Sequence, residues 1–343
     1  MTTFRKATRS RKQLPNLQEI CMLKFLSWLI FVPLQIAFIP LAVVGFVMVA
    51  YKQILVSKRL GASQTGIEVL NGRWAMHVFG MRDDIPSKRL AEAIPNTSVL
   101  GLSFCLIPLW VKYKISGTLT LYPRLPQEGS ETLLDMVPAR TLYIDQILDR
   151  AASDMEQFVL MGSGYDSRAY LYSEKYGMKC FELDRTETQQ LKTEALTKAG
   201  LDSSHVSLIP VDFERENMFD KLSKAGWDPS RKTFFLLEGV TLYLEEGTVR
   251  TILRDIAECA APGSVLTLDI YAQKIIDAAF GGSKRLLEYT NEALSFGLPF
   301  ETDFERVLAD FVESKDVRLG ETFFLGRTHK TGPYGVVAEV LVQ

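Results

Sequence analysis

The chain reads as three zones of different hydrophobic pattern. Residues 1–24 are polar and basic, with Arg5, Lys6, Arg9, Arg11, Lys12 and Lys24 set against a single acid, Glu19. From Phe25 to Tyr51 the next 27 residues carry no charge. A helix rising about 1.5 Å per residue would cross a hydrocarbon core of roughly 30 Å over that length. A buried core helix would keep some polar face, and no small-residue cleavage site precedes Lys52, so the pattern predicts a membrane segment over 25–51. The flanking basic residues favour a cytoplasmic N-terminus, and a single span would then put everything after Lys52 on the far side. Pro33 and Pro40 could instead bend the segment into a hairpin that re-emerges where it entered.

A second uncharged stretch, 93–111, holds "VLGLSFCLIPLWV" within a region, 52–134, that reads as a helical cap. It is short and interrupted by Pro108, which suits an interfacial segment or a covered core piece better than a full span. Insertion of both stretches would return the chain to its N-terminal side. The expectation is a membrane-attached protein whose remaining domain, 135–343, faces the cytoplasm.

In that domain short apolar runs alternate with helical segments, the pattern of a parallel α/β sheet. Strands are predicted at 157–162 (QFVLMG), 179–184 (KCFELD), 206–212 (VSLIPVD), 233–239 (TFFLLEG) and 264–270 (SVLTLDI). Two further runs, 320–328 and 334–342, are joined by the turn-like "HKTGP" and must therefore be antiparallel neighbours. A plain dinucleotide fold has no such ending. Five strands closed by a hairpin are the arrangement of the Rossmann-like, seven-stranded class I methyltransferase sheet.

The first strand runs into Gly162-Ser163-Gly164, and the second ends in Glu182-Leu183-Asp184. A nicotinamide site wants a third glycine for close helix packing, where this chain has Ser167. An acid such as Asp184 suits the ribose hydroxyls of either a dinucleotide or S-adenosylmethionine. The ends of successive strands carry Asp184, Asp212 and Glu238, and ligands bind at such ends in open parallel sheets. Asp212 is placed to accept from an adenine amino group with Phe213 against the ring, and Glu238 to meet the ammonium or ribose end. So acidic a rim disfavours a pyrophosphate and favours a cofactor that carries positive charge.

Composition narrows the alternatives. A net charge of −2 gives no footprint for nucleic acid. The cysteines, Cys21, Cys105, Cys180 and Cys259, are too dispersed for a zinc site or disulfide scaffold, and no HExxH or Gly-x-Ser-x-Gly occurs. No metal is expected. His77 and His205 remain candidate bases, but no His–Asp pair stands near the motifs. A carboxylate acceptor needs no base at neutral pH, whereas a hydroxyl usually does, so the sequence leans toward a carboxylate.

"VLMGSGYDSRAY", "FELD", "IPVDF" and "LLEGVTLYL", preceded by "ARTLYIDQIL", resemble the leucine carboxyl methyltransferase family and its bacterial relatives. The resemblance runs from about Ser63 to the C-terminus. It implies an S-adenosylmethionine-dependent O-methyltransferase in which Arg140 binds the methionine carboxylate. Gly162 and Gly164 would line the methionine side, Asp184 the ribose, Asp212 and Phe213 the adenine, and Glu238 a further cofactor contact. Tyr243 would lie at the substrate end as the candidate catalytic residue, and Arg73 loosely matches a basic position of the family's N-terminal part. Asp166 and Arg168 are expected to pair and brace the loop. The membrane segment departs from the family's soluble members and points to a small, lipid-like acceptor, with protein C-termini as acceptors by family analogy only. The rival readings are a nicotinamide-dependent oxidoreductase and a catalytically silent membrane adaptor of the same fold.

Overall fold

Seven strands form one sheet in the order β3-β2-β1-β4-β5-β7-β6. They are β1 (Gln157–Met161), β2 (Lys179–Asp184), β3 (Val206–Pro210), β4 (Thr233–Leu237), β5 (Val265–Tyr271), β6 (Val317–Leu325) and β7 (Gly335–Val342). The first five are parallel, and β7 inserts antiparallel between β5 and β6, with a register shift between Leu319 and Thr322. Every residue of β1 and β4 is buried because helices cover both faces, which is why each is apolar after its first residue, Gln157 or Thr233. The third and fourth strands stop at Pro210 and Leu237, so Asp212 and Glu238 stand in the turns beyond the strands expected to contain them.

This computed structural model describes residues 17–278, 289 and 292–343. The basic residues from Arg5 to Lys12 lie outside the described residues. In chain order the helices are α1 (Leu17–Ala50), α2 (Ser57–Leu60), α3 (Gln64–Val78), α4 (Ile85–Ala93), α5 (Val99–Ser116) and α6 (Met136–Ala151). Then come α7 (Arg168–Tyr176), α8 (Thr186–Ala199), α9 (Met218–Lys224), α10 (Glu246–Cys259), α11 (Gln273–Ala278) and α12 (Phe304–Val312). Helices α3, α4, α6, α7 and α8 pack one face of the sheet through Ile67, Leu90, Ile144, Tyr170 and Leu196, among others. The other face is covered by α9, α10 and α12 through residues such as Phe219, Ile252 and Leu308.

Helix α1 runs past Pro33 and Pro40 and continues through a π-helical turn, Tyr51–Val56, into α2. A proline removes one rung of the ladder, and the intact rungs on either side keep the helix's direction. The proline-bent hairpin therefore does not form. One stripe of α1, including Ser27, Phe31 and Gly45, is buried against α5. Gly45 faces Gly101 so closely that a Cβ on it would lie 2.5 Å from the Gly101 carbonyl oxygen. Further along, Cys105 Sγ donates to the Ala42 carbonyl at 3.5 Å and Lys112 Nζ lies 4.6 Å from the Trp28 ring centroid, so the two helices are antiparallel. The opposite side of α5 rests on the domain, with Leu102 and Leu106 against its core and Tyr113 5.8 Å from the Phe79 ring. The stretch 93–111 thus falls largely on α5, most of whose residues are half-buried between α1 and the domain. By length and composition, two described helical stretches, Cys21–Leu60 and Val99–Ser116, are apolar enough to cross a membrane.

Candidate active site

The strand order reverses between β1 and β4, which opens a crevice at their carboxyl ends. A cavity of about 1300 Å³ occupies it, lined by residues from α3, from the turns after β1, β2, β3 and β4, and from the segment at Glu292–Leu294. The turn after β1 is tied to β2: the Gly162 and Ser163 N–H groups both donate to the Leu183 carbonyl, at 2.8 and 3.0 Å. Gly162 has φ 69°, and a Cβ there would fall 2.3 Å from Val240 Cγ2, so only glycine fits. The N–H groups of Gly164 (2.6 Å) and Arg185 (2.7 Å) hold Asp184, one on each carboxylate oxygen. Burial keeps Asp184 above its usual range, with those two hydrogen bonds acting against the rise.

Behind this turn the structure assembles charges that are distant in sequence. Glu238 is approached by Arg168 Nη1 (2.5 Å), Arg73 Nη2 (2.7 Å) and Arg140 Nε (3.1 Å). Burial would raise its carboxyl, but the guanidiniums of Arg73, Arg168 and Arg140 outweigh that and bring it to about 2. Asp166 is held low in the same way, by Arg168 (2.6 Å) and Arg73 (3.0 Å) against its burial. The expected Asp166–Arg168 brace is present and extends further, since Arg168 Nε also reaches Asp145 at 2.6 Å. Glu238 was expected to meet the cofactor directly, yet its carboxylate is engaged by three guanidiniums and holds them in place.

Arg140 Nη1 donates to Asp269 Oδ2 at 2.9 Å and also to the Tyr271 hydroxyl, which leaves Nη2 without a partner among the described residues. Asp212 and Phe213 line the opposite end, where the Asp212 carboxylate accepts from the Glu214 N–H at 3.1 Å. Tyr243 lines the cavity beside α3, and its hydroxyl donates to Thr65 Oγ1 at 2.9 Å. All eight predicted site residues therefore border one space. His77 and His205 do not: His77 Nδ1 accepts from the Asp84 N–H at 3.0 Å, and His205 lies by Asp202. Sequence reasoning passed over Ser163, Thr65 and Glu68 and gave Arg73 little weight. For Arg73 a signal existed, an arginine on the apolar face of a helix, since a charge so placed needs a buried partner.

The groups present fit S-adenosylmethionine. Among the described residues, Ser163 Oγ is buried at the cavity with no partner, Arg140 Nη2 is free for a carboxylate, and Asp184 keeps lone pairs for ribose hydroxyls. They do not fit a dinucleotide pyrophosphate. The start of α7, where its phosphates would lie, is filled by carboxylates: Asp166 Oδ1 accepts from the Arg168 N–H at 2.7 Å, and Ser167 Oγ donates to buried Asp84 at 2.8 Å.

Comparison with known proteins agrees. Residues 117–257 match the family described as leucine carboxyl methyltransferase. Over that segment the chain is similar to the leucine carboxyl methyltransferase family. A Mycobacteroides abscessus protein named "Putative S-adenosyl-L-methionine-dependent methyltransferase" is 32% identical over 45% of this chain and 52% of its own length. A similarly named protein of Mycolicibacterium smegmatis is 26% identical over 67% of this chain and 73% of its own. The chain thus spans about half to three quarters of the length of these two relatives. A duf574 family protein from Streptomyces avermitilis aligns in structure with a TM-score of 0.44 and 14% identity, over 60% of this chain and 84% of that one. The leucine carboxyl methyltransferase match includes Arg140, Gly162, Asp184, Asp212, Glu238 and Tyr243, and it leaves out α1, Glu68 and Arg73.

Proposed function

We propose that the protein is an S-adenosylmethionine-dependent O-methyltransferase acting on a carboxylate or hydroxyl oxygen of a small, apolar acceptor met at a membrane surface. The observation that carries the reading is one cavity at the strand ends in which Asp184, Ser163 Oγ and Arg140 Nη2 stand ready while the pyrophosphate position is filled. When bound, the cofactor supplies a methyl group already activated by its sulfonium. Asp184 would hold the ribose, Asp212 and Phe213 the adenine, and Arg140 the methionine carboxylate. The protein's remaining task is to align the acceptor and keep out water, and Tyr243 with α3 walls that end of the cavity. About 1300 Å³ exceeds the roughly 300–1000 Å³ of a typical single-ligand pocket, in keeping with a cofactor and an acceptor together. Isothermal titration of the whole chain should show S-adenosylmethionine binding that weakens on Asp184→Ala. No binding to the unaltered protein would refute the reading.

The membrane part of the proposal rests on α1. Its outward side presents Val32, Ile36, Ile39, Val43 and Val47, with Ile36 63% exposed. The helix lies lengthwise on α5, and α5 rests on the domain from Leu102 and Leu106 to Tyr113. A helix so placed favours lying along the cytoplasmic bilayer surface. Crossing the bilayer would carry the domain's flank, including 92%-exposed Asp83, toward hydrocarbon. The chain should float with phosphatidylcholine vesicles, and glutamates at Ile36, Val43 and Val47 should release it. Unchanged flotation of that variant would count against α1 as the contact.

A further inference from the structure

Glu68 stands out among the carboxylates of the cavity. It sits on α3 one turn after Thr65 and one turn before Gly72, facing the cavity beside Val69 and Met136. Its side chain is exposed to the cavity, and it makes no hydrogen bond or ion pair among the described residues. The other acids are either engaged or stand elsewhere: Glu187, Glu214 and Glu216 line the cavity from the segments after β2 and β3, not from α3. Glu238 and Asp166 are held by arginines, and Asp184 and Asp212 lie at the cofactor end. Glu292 accepts from Ser63 Oγ (2.5 Å), Thr65 Oγ1 (2.8 Å) and the N–H groups of Gln64 (3.3 Å) and Thr65 (3.4 Å), which anchors it to the start of α3.

Tyr243 cannot fill the base's place. Burial, then the nearby Glu292, pushes its hydroxyl well above the usual phenol range, so it stays protonated and donates to Thr65. Among the described residues no histidine borders the cavity.

We infer that Glu68 is the general base that takes the proton of the acceptor, and that the acceptor is therefore a hydroxyl-bearing molecule rather than a carboxylate. This rests on the methyltransferase reading above. In the step, an acceptor oxygen forms the new O–CH3 bond as the S–CH3 bond breaks. The S–C electron pair stays on sulfur, and the acceptor's proton passes to a Glu68 oxygen and then to solvent. A carboxylate acceptor would bring a second negative charge beside Glu68, and the cation acting on Glu68, Arg140, is already shared by Glu238 and Asp269. The groups acting on Glu68 are Arg140, Glu292, Tyr122 and Tyr243. Burial raises its carboxyl above the ordinary range, Arg140 opposes the rise and Glu292 adds to it, which moves it toward the pH at which a base is most effective. The sequence-based lean toward a carboxylate acceptor rested on the lack of a base, and Glu68 removes that ground.

Paired probes of equal shape, biphenyl-4-ol and biphenyl-4-carboxylate, test the inference by calorimetry on the full chain without cofactor. The unaltered protein should bind the phenol at least about tenfold more tightly, and Glu68→Gln should erase that preference while its S-adenosylmethionine affinity is unchanged. With cofactor added, methylation of the phenol should fall about 10²–10⁴-fold in Glu68→Gln, and the acid limb of its pH–rate profile should vanish. Preference for the carboxylate, absence of phenol binding, or full activity in Glu68→Gln overturns the assignment. Loss of S-adenosylmethionine binding by the unaltered protein is the separate outcome that overturns the methyltransferase reading as well. Should Glu68→Gln fail to fold, Glu68→Asp decides: the phenol preference should persist with a reduced rate, and an unchanged rate rejects the base.

Discussion

The two walls of the cavity handle charge in opposite ways. On the sheet side, Asp166, Arg168 and the Glu238 side chain are buried and bound to one another and to Arg73, Arg140 and Asp145. On the α3 side, Glu68 has no such partner. A buried charge that is fully paired holds a shape, because losing one partner strands the others at high cost. A carboxylate left open to a cavity contributes little to the fold and stays available to a ligand. Removing charges from each wall in turn is therefore informative.

The largest effect is expected from Arg168→Ala, which strands Asp145, Asp166 and Glu238 and should cost about 3–5 kcal/mol in denaturant unfolding. If it costs no more than a surface substitution, the sheet wall is not the brace described here. Gly162→Val comes next. Its positive φ and the clash with Val240 should destabilise by about 1–3 kcal/mol, with a loss of S-adenosylmethionine affinity seen in the same samples by calorimetry. Asp184→Ala should keep its melting temperature near that of the parent yet bind the cofactor at least about tenfold more weakly, since the ribose hydroxyls lose their acceptor. By contrast, Glu68→Ala should change unfolding free energy by no more than about 0.5 kcal/mol. A larger loss would mean that Glu68 is a structural charge after all.

The finest test concerns Glu182, a buried acid of β2 behind the cavity with incomplete pairing. It meets Lys192 Nζ at 2.6 Å, but its Oε1 has no partner. Burial, only partly offset by Lys192, raises its carboxyl from 4.5 to about 7. The folded protein then holds this proton more tightly than the unfolded chain. The contribution is fully present below pH 4.5 and lost as pH rises through about 7. Glu182→Gln should flatten the fall in stability across that window when unfolding is followed at a series of pH values. An unaltered slope would assign the pH dependence elsewhere.

Much of this molecule was legible in the chain. The strands fell within a few residues of their predicted places because alternation of apolar runs with turn residues is a local signal, and Gly162 with Asp184 announced the cofactor end through a turn and a strand end. The limits were equally physical. "VSLIPVD" reads as one strand, yet pairing with β2 ends at Pro210, which has no N–H to continue a ladder. The prolines of α1 suggested a reversal that the helix's remaining hydrogen bonds and its packing on α5 do not permit.

What the sequence determined by itself was the set of elements, their order and the chemical character of the strand ends, since backbone conformation and hydrophobic period depend on neighbours along the chain. Which charges are spent and which are free was decided only by the tertiary structure. Arg73 meets Glu238 across 165 positions of sequence, and Ser63 meets Glu292 across 229. Only when those distant partners neutralise one another is Glu68, an ordinary glutamate in an ordinary helix, the carboxylate left open on the α3 wall.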